Sequence, residues 1–325
     1  MKSKNKKVLV TGAAGFIGSH LSQALISEGY QVIGVDNLSK GSVDNLANII
    51  NNKRFTFIKK DIFKVSKTKG FPKVDCIVHL AAAKIPRYGN RLETLLVNTK
   101  GTETVLEIAR MNNSKVILAS TSDVYGKSNK LPSSEDSDLL IGPSDVARWA
   151  YAVSKMYDEH LCFAYFEKFQ VPFVILRLFG IYGPKQHRSW WGGPRSLFID
   201  AILSGNKVEI HGTGNQSRTF LYIDDAVRAI LMAIAKDKPN GQIINIGSSE
   251  EISISSLAKL IATIQKKPLK IKKIGYTSFT GKNYEDIMRK KPNLKKAQRL
   301  LGWQPKIKLA TGIKNTIEWY SQNPR

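Results

Sequence analysis

The stretch Lys7-Val8-Leu9-Val10-Thr11-Gly12-Ala13-Ala14-Gly15-Phe16-Ile17-Gly18 carries the most structural information in this chain. Three apolar residues in a row suit a strand buried on both faces. Gly12, Gly15 and Gly18 then turn the chain, and from Phe16 to Ser27 the apolar spacing is helical. Strand, glycine-rich turn and helix in this order make a pyrophosphate cradle: small residues let the backbone approach, and a helix N-terminus favours negative charge. Glycine spacing alone is weak, because turns also collect glycine. An acid at the end of the next strand strengthens it. Asp36 lies 18 residues beyond Gly18, placed to bind both ribose hydroxyls of an adenosine. A carboxylate there repels a 2′-phosphate and favours NAD over NADP, although Lys40 in the following loop could accommodate that phosphate. A P-loop is excluded, since no Lys-Ser/Thr pair follows the glycines.

Outward from this unit the alternation continues. Residues 32–35, 55–58, 76–80, 116–120 and 173–176 are apolar runs without polar alternation, whereas 92–111 and 149–169 have helical spacing. The pattern predicts an α/β fold, a Rossmann-type doubly wound parallel sheet. After Gly183-Pro184, Gly, Trp, His and Pro gather in residues 186–194, the composition of a substrate loop. Further helices are expected near 196–203, 255–265, 293–301 and 310–320, with Gly302 as a C-terminal cap and Pro305 shortly after. Residues 243–246 read as a buried strand returning to the main sheet. The expected division is an NAD-binding domain over 1–178 with a return segment near 221–249. A smaller mixed substrate-binding domain over 179–325 would face the carboxyl ends of the strands.

Tyr151 and Lys155 stand four residues apart in a helical stretch, about one turn, so phenol and ammonium share a face. Upstream, Ser120-Thr121-Ser122-Asp123-Val124-Tyr125-Gly126 leaves the fifth strand at its carboxyl end, where such folds put ligands. A hydroxyl there can hold a sugar hydroxyl and hand its proton towards a phenolate. Tyrosine has an ordinary pKa of about 10, so serving as a base near neutrality requires a drop of about three units, roughly 4 kcal/mol. One nearby positive charge supplies about one to three units. Lys155 together with the cationic ring of oxidised nicotinamide would suffice, and Tyr151 would then take the hydroxyl proton as hydride leaves the same carbon.

The 325 residues can bury a sizeable core. No segment approaches 18 consecutive apolar residues, so no membrane span is expected, and residues 8–10 are too short for a signal-peptide core. Cys76 and Cys162 lack CxxC spacing and read as buried free thiols of a reducing cytoplasm. No metal site is expected. Fifty Lys and Arg against 26 Asp and Glu give a net charge of +24. The basic residues are spread along the chain without an aromatic-basic repeat, which favours attraction of anionic small molecules over nucleic-acid binding.

These motifs together resemble the extended short-chain dehydrogenase/reductases, specifically the NAD-dependent nucleotide-sugar epimerase/dehydratase family. The resemblance runs nearly end to end: TGAAGFIGSH from Thr11, the Asp36-Asn37-Leu38-Ser39 turn, His79-Leu80-Ala81-Ala82, Asn98, STSDVYG, YAVSK, residues 176–179 with Tyr182-Gly183-Pro184, residues 212–218, and Leu301-Gly302-Trp303-Gln304-Pro305. It implies cofactor contacts from Phe16, Ile17, Asn37, Ser39 and Lys40, an adenine pocket at Asp61 and Ile62, and Leu80, Ala81, Ala82, Lys84, Asn98 and Ser120 along the rest of the dinucleotide. Thr121, Ser122 and Asp123 would join Tyr151 and Lys155 in catalysis. Lys84, Thr121, Gly180, Arg195, Arg218, and Arg289 or Lys290 would contact the substrate, the guanidinium groups gripping its pyrophosphate. Many relatives carry a substrate-contacting asparagine where this chain has Gly180.

The resemblance implies oxidation of a sugar C4 hydroxyl to a ketone and leaves its fate open. Return of hydride to the other face makes a 4-epimerase of a UDP-hexose or UDP-hexuronate, the reading favoured here. Loss of carbon dioxide from a hexuronate makes a decarboxylase. Arg148-Trp149 resembles those enzymes, but they carry Thr-Ser-Glu where this chain has Thr121-Ser122-Asp123. A 4,6-dehydratase is disfavoured because Ser122 replaces its acid. A non-catalytic NAD-bound regulator or RNA-binding module is disfavoured by the intact Thr121, Tyr151 and Lys155. A homodimer through residues 92–111 and 149–169 is implied by the family alone.

Overall fold

The computed structural model describes residues 6–65, 72–84, 90–189, 192–275 and 285–323. The chain runs β1 (Lys7–Thr11), α1 (Phe16–Ser27), β2 (Gln31–Asp36), β3 (Phe55–Lys59), β4 (Cys76–His79), α2 (Arg91–Asn112), β5 (Lys115–Thr121), α3 (Trp149–Phe169) and β6 (Phe173–Leu178). It continues through β7 (Ile181–Tyr182), α4 (Pro194–Leu203), β8 (Val208–His211), β9 (Ser217–Thr219), β10 (Leu221–Tyr222) and α5 (Ile223–Ala235). Last come β11 (Gln242–Ile246), β12 (Glu251–Ser253), α6 (Ile254–Gln265), β13 (Ile271–Ile274), α7 (Lys295–Leu301) and α8 (Leu309–Gln322).

Seven of these strands form one parallel sheet in the order β11-β6-β5-β4-β1-β2-β3. Its strands are apolar at consecutive positions because both faces are covered. Along β1, Val8 and Val10 enter one core while Leu9 enters the other. In β4, Val78 faces the first core and Ile77 the second. The first core takes Leu21 and Leu25 of α1 and Ala226 and Ile230 of α5; the second takes Val105 and Ala109 of α2 and Cys162 of α3. This is the doubly wound arrangement the apolar runs predict, and Gln242–Ile246 does pair with β6. The order reverses direction between β1 and β4, where a crevice opens at the carboxyl ends.

The remaining strands pair two by two: β8 with β13, β9 with β12, β7 with β10. The sequence reading lacks these short strands and α5. Gly302, at φ 65°, ends α7 in the left-handed conformation expected of a cap. Trp303 behind it is fully buried, and its indole nitrogen donates to the Asp225 carbonyl at 2.9 Å. Asp225 Oδ2 accepts from the backbone nitrogens of Lys306 and Ile307. That docks the LGWxP motif on the first turn of α5. Both cysteines are free and buried. No helix among the described residues is long and apolar enough to cross a membrane.

Candidate active site

At the crevice lies a cavity of about 1410 Å³ that reaches from the glycine turn, past the ends of β1, β4 and β5, to the β8–β9 region. It is larger than the ~300–1,000 Å³ of an ordinary ligand pocket. Its size suits two ligands side by side.

One end fits a dinucleotide. Gly12 adopts φ +70°, and a Cβ there would meet the Ala81 nitrogen at 2.9 Å. A Cβ on Gly18 would lie 2.1 Å from the Gly12 carbonyl oxygen, so only glycine lets α1 pack so tightly on the turn. Helix α1 has Gly15 as its N-cap, no capping side chain and no acid in its first turn. Its first backbone N–H groups are thus left for an anion. Asp36 lines the cavity with its carboxylate oriented by the Leu38 nitrogen at 2.8 Å and the Ala14 nitrogen at 3.0 Å. Burial pushes its carboxyl up, and those two N–H groups oppose the shift. Asn37, Ser39, Lys40, Asp61 and Ile62 line the same end, with Asn37 donating to Asp61 at 2.9 Å. Phe16, Ile17, Leu80, Ala81, Ala82 and Lys84 continue the wall.

The middle holds the reactive groups. Thr121 ends β5, and Ser122 and Asp123 follow in a short 3-10 turn that Thr121 caps by accepting from the Asp123 nitrogen. Tyr151, on the first turn of α3, lies beside the Thr121 side chain and faces the cavity. Its phenol is pushed above the ordinary tyrosine value by burial first and by the Asp123 and Asp158 charges next, and Thr121 opposes them. The expected drop calls for Lys155 and the oxidised nicotinamide ring together, and Lys155 does not supply it by itself. The reason is local: Lys155 is itself buried, with Nζ 3.1 Å from Asp158 Oδ2. The Asp158 carboxylate opposes the Lys155 charge at the phenol. Ser120 donates to Glu159 Oε1 at 2.5 Å, and Glu159 is clasped by Arg177 at 3.0 and 2.7 Å.

The far end is cationic. Lys290 bonds the Asp123 carboxylate, and Arg148 lies 3.7 Å from the same oxygen. Burial raises the Asp123 carboxyl, but Lys290, Arg148 and Lys84 outweigh it and hold the group well below the carboxylate range. Burial brings Lys290 down to about 8, with Arg148 and Arg218 adding to the shift and Asp123 opposing it. Arg218 bonds Asp286 at 2.9 Å. Arg195, almost wholly buried, stacks over Phe220 at 4.6 Å and donates to the Ile181 and Gly192 carbonyls. Its Nε makes no hydrogen bond, and burial lowers the group to about 10. A buried guanidinium with a spare donor on a cavity wall suits an anionic or carbonyl-bearing ligand.

Similarity to known proteins follows this geometry. Residues 8–247 match the model of the NAD dependent epimerase/dehydratase family. The chain belongs to that family. A UDP-N-acetyl-alpha-D-glucosaminuronate decarboxylase of Bacillus cytotoxicus is 36% identical over 320 residues, 98% of each chain. A UDP-glucuronic acid 4-epimerase from Bacillus cereus, solved with UDP-glucuronic acid and NAD, is 32% identical at a TM-score of 0.86, with 97% of this chain and 99% of that one covered. A UDP-N-acetylglucosamine 4-epimerase from Methanobrevibacter ruminantium reaches a TM-score of 0.89 at 28% identity, over 99% and 100% of the two chains. NAD is the family's cofactor.

Within this NAD-dependent epimerase/dehydratase, two expected site residues stand outside the cavity. Asn98 is fully buried behind the wall; its Oδ1 accepts from the Ala83 nitrogen, and its amide nitrogen donates to the Ala83 carbonyl and to Ser154 at 2.8 Å. It fixes the strand end against α3 rather than facing a ligand. Arg289 points outward and pairs with Glu251 at 2.8 and 2.9 Å, so of the alternatives Arg289 and Lys290 only Lys290 lines the cavity. Gly180 lines it at φ +51°, with Thr219 O at 2.4 Å from where a Cβ would stand. The loop at 186–194 supplies Gln186, His187, Ser189 and Gly193; residues 190–191 lie outside the described ones. Only the family resemblance marks Arg148 in the sequence, and nothing there marks Asp286 or Asp158. Among the described residues no group of three His, Cys, Asp or Glu could hold a metal.

Proposed function

We propose that the protein is an NAD-dependent 4-epimerase of a UDP-hexose or UDP-hexuronate, working through a transient 4-keto sugar. The observation that carries this reading is Tyr151 beside Thr121 at the carboxyl end of β5, next to a glycine cradle and in one cavity with Lys290, Arg218 and Arg195. Bound NAD would take up the C4 hydride and give it back. The side chains do the rest. Tyr151 accepts the C4 hydroxyl proton through its oxygen as the C–H bond breaks, and returns it when the carbonyl is reduced. Thr121 holds that hydroxyl in line. Arg218 and Lys290 hold the pyrophosphate while the ketose turns its other face to the cofactor. Ser122 offers no acid for removing water, which argues against dehydration.

A second reading is decarboxylation of a UDP-hexuronate. It is favoured by Arg148 beside Asp123, at the position where decarboxylases carry glutamate, and by the decarboxylases among the relatives. Incubating the purified enzyme with UDP-glucose, UDP-glucuronate and their 2-acetamido counterparts separates the two. Epimers of unchanged mass are expected. Carbon dioxide with a UDP-pentose would sink the epimerase reading.

We further propose a homodimer through α2 and α3. Their outer faces leave Leu92, Leu96, Met111, Val153, Tyr157 and Phe169 exposed, with Leu92 60% and Tyr157 52% accessible. Exposed apolar residues on two adjacent helices support an association surface there. Leu92→Glu with Tyr157→Glu is expected to yield a folded monomer in light scattering. A dimer that survives both substitutions places the interface elsewhere.

A further inference from the structure

Lys155 and Asp158 are three residues apart on α3, both closed to solvent, and their charged atoms are 3.1 Å apart. Asp158 Oδ2 is taken by the ammonium, while Oδ1 is buried without a hydrogen-bond partner among the described residues. The neighbouring elements bring little else to balance it. His79 of β4 faces Lys155, bonds Thr11 through Nδ1, and is pushed down to about 3 by burial and the Lys155 charge, so it is neutral. Thr102 of α2 lies beside Asp158. On α3 itself, burial keeps the Cys162 thiol protonated, and Glu159 is occupied by Arg177 and Ser120. From the turn after β5, Asp123 faces Tyr151 but is engaged by Lys290 and Arg148. Asp158 is therefore the carboxylate bonded directly to the ammonium one turn from the phenol.

We propose that Asp158 is a positioning residue of the proton-transfer pair: it anchors the Lys155 ammonium from the protein side and divides its charge, so that only part of it acts on Tyr151. This rests on the reading of Tyr151 as the base. A phenol so held stays protonated until the dinucleotide adds its own positive charge. Ionisation of Tyr151 is thereby tied to occupancy of the cofactor cradle. Asp158 does not touch substrate or the reacting atoms; it acts by holding Lys155 and by opposing that lysine's charge at the phenol.

The sign follows from charge. Removing the Asp158 anion leaves Lys155 fully positive, which favours phenolate and moves the Tyr151 titration to lower pH. One nearby charge is worth about one to three units, and a charge reached through another group belongs at the lower end. The experiment uses the full chain loaded with NAD and labelled with 13C at the tyrosine ζ carbon; the Tyr151 signal is the one lost in Tyr151→Phe. In Asp158→Asn, which keeps the shape and an acceptor for Lys155, the midpoint is expected about one unit lower, a tenfold larger phenolate fraction at a given pH below it. Asp158→Ser is expected to move it in the same direction and guards against a folding defect in the first variant. A midpoint unmoved in both variants, with only the melting temperature changed, would overturn the proposal, because a merely structural role leaves the phenol alone. No sugar substrate enters the titration. Absence of turnover on every UDP-sugar would count against the proposed function and leave this result readable.

Discussion

Tyr151→Phe is expected to lower turnover about a thousandfold, within the 10²–10⁴ range of general acid–base groups. The substitution deletes one oxygen from a buried ring whose hydroxyl meets the Thr121 side chain and the cavity. Packing survives, and the glycine cradle, Asp36, Lys290 and Arg218 are untouched. Substrate should therefore still bind with a KM within about threefold of the parent, because loss of a transition-state interaction lowers kcat and leaves uniform binding alone. The decisive measurement is the 340 nm signal of nicotinamide reduction on mixing NAD-loaded enzyme with UDP-sugar, compared with the parent. A variant that keeps more than a tenth of the parental rate would mean that the proton leaves by another group, and Asp123 would be the first to test.

Arg177→Leu is expected to cost about 3–5 kcal/mol of stability, the usual consequence of stranding one member of a buried ion pair. Arg177 reaches across from β6 to Glu159 on α3 with two short bonds, both side chains nearly inaccessible. Glu159 in turn accepts from Ser120, and the Arg177 guanidinium lies 4.8 Å over the Tyr125 ring. Removing the cation leaves a carboxylate in an apolar sheet-helix interface and loosens the strand end that carries Thr121. The double variant Arg177→Met, Glu159→Leu should recover most of the loss, because no charge is then left unpaired. Urea denaturation of the three proteins checks this. A single variant within 1 kcal/mol of the parent would show that water reaches Glu159 and pays its desolvation instead.

Much of this molecule is legible before any coordinates. The parallel strands announce themselves because burial on both faces demands unbroken apolar runs, and α1 and α3 begin and end at the residues the spacing indicates. Gly12, Gly18 and Asp36 are readable because backbone approach and ribose recognition allow few alternatives. What stayed hidden has a common physical origin. Asp158 looks like an ordinary polar residue of a helix, and only burial beside Lys155 gives it meaning. Asp286 sits in a loop whose place over Arg148 depends on contacts more than a hundred residues away in sequence. Short strands such as Ser217–Thr219 are too brief for any periodicity to register. Arg289 and Lys290, adjacent in sequence, point to opposite sides of one extended segment, and composition cannot tell which faces in.

The late arrival of the last strand of the sheet has a consequence for the nascent protein. Phe173–Leu178 has no partner on its outer edge until Gln242–Ile246 emerges, about 60 residues later. At 5–20 residues per second, translation leaves that edge bare for roughly 3–12 s. An unpaired apolar edge is a template for pairing with a neighbouring chain. Ribosome-bound intermediates halted in that interval are where chaperone engagement, or misassembly, should concentrate.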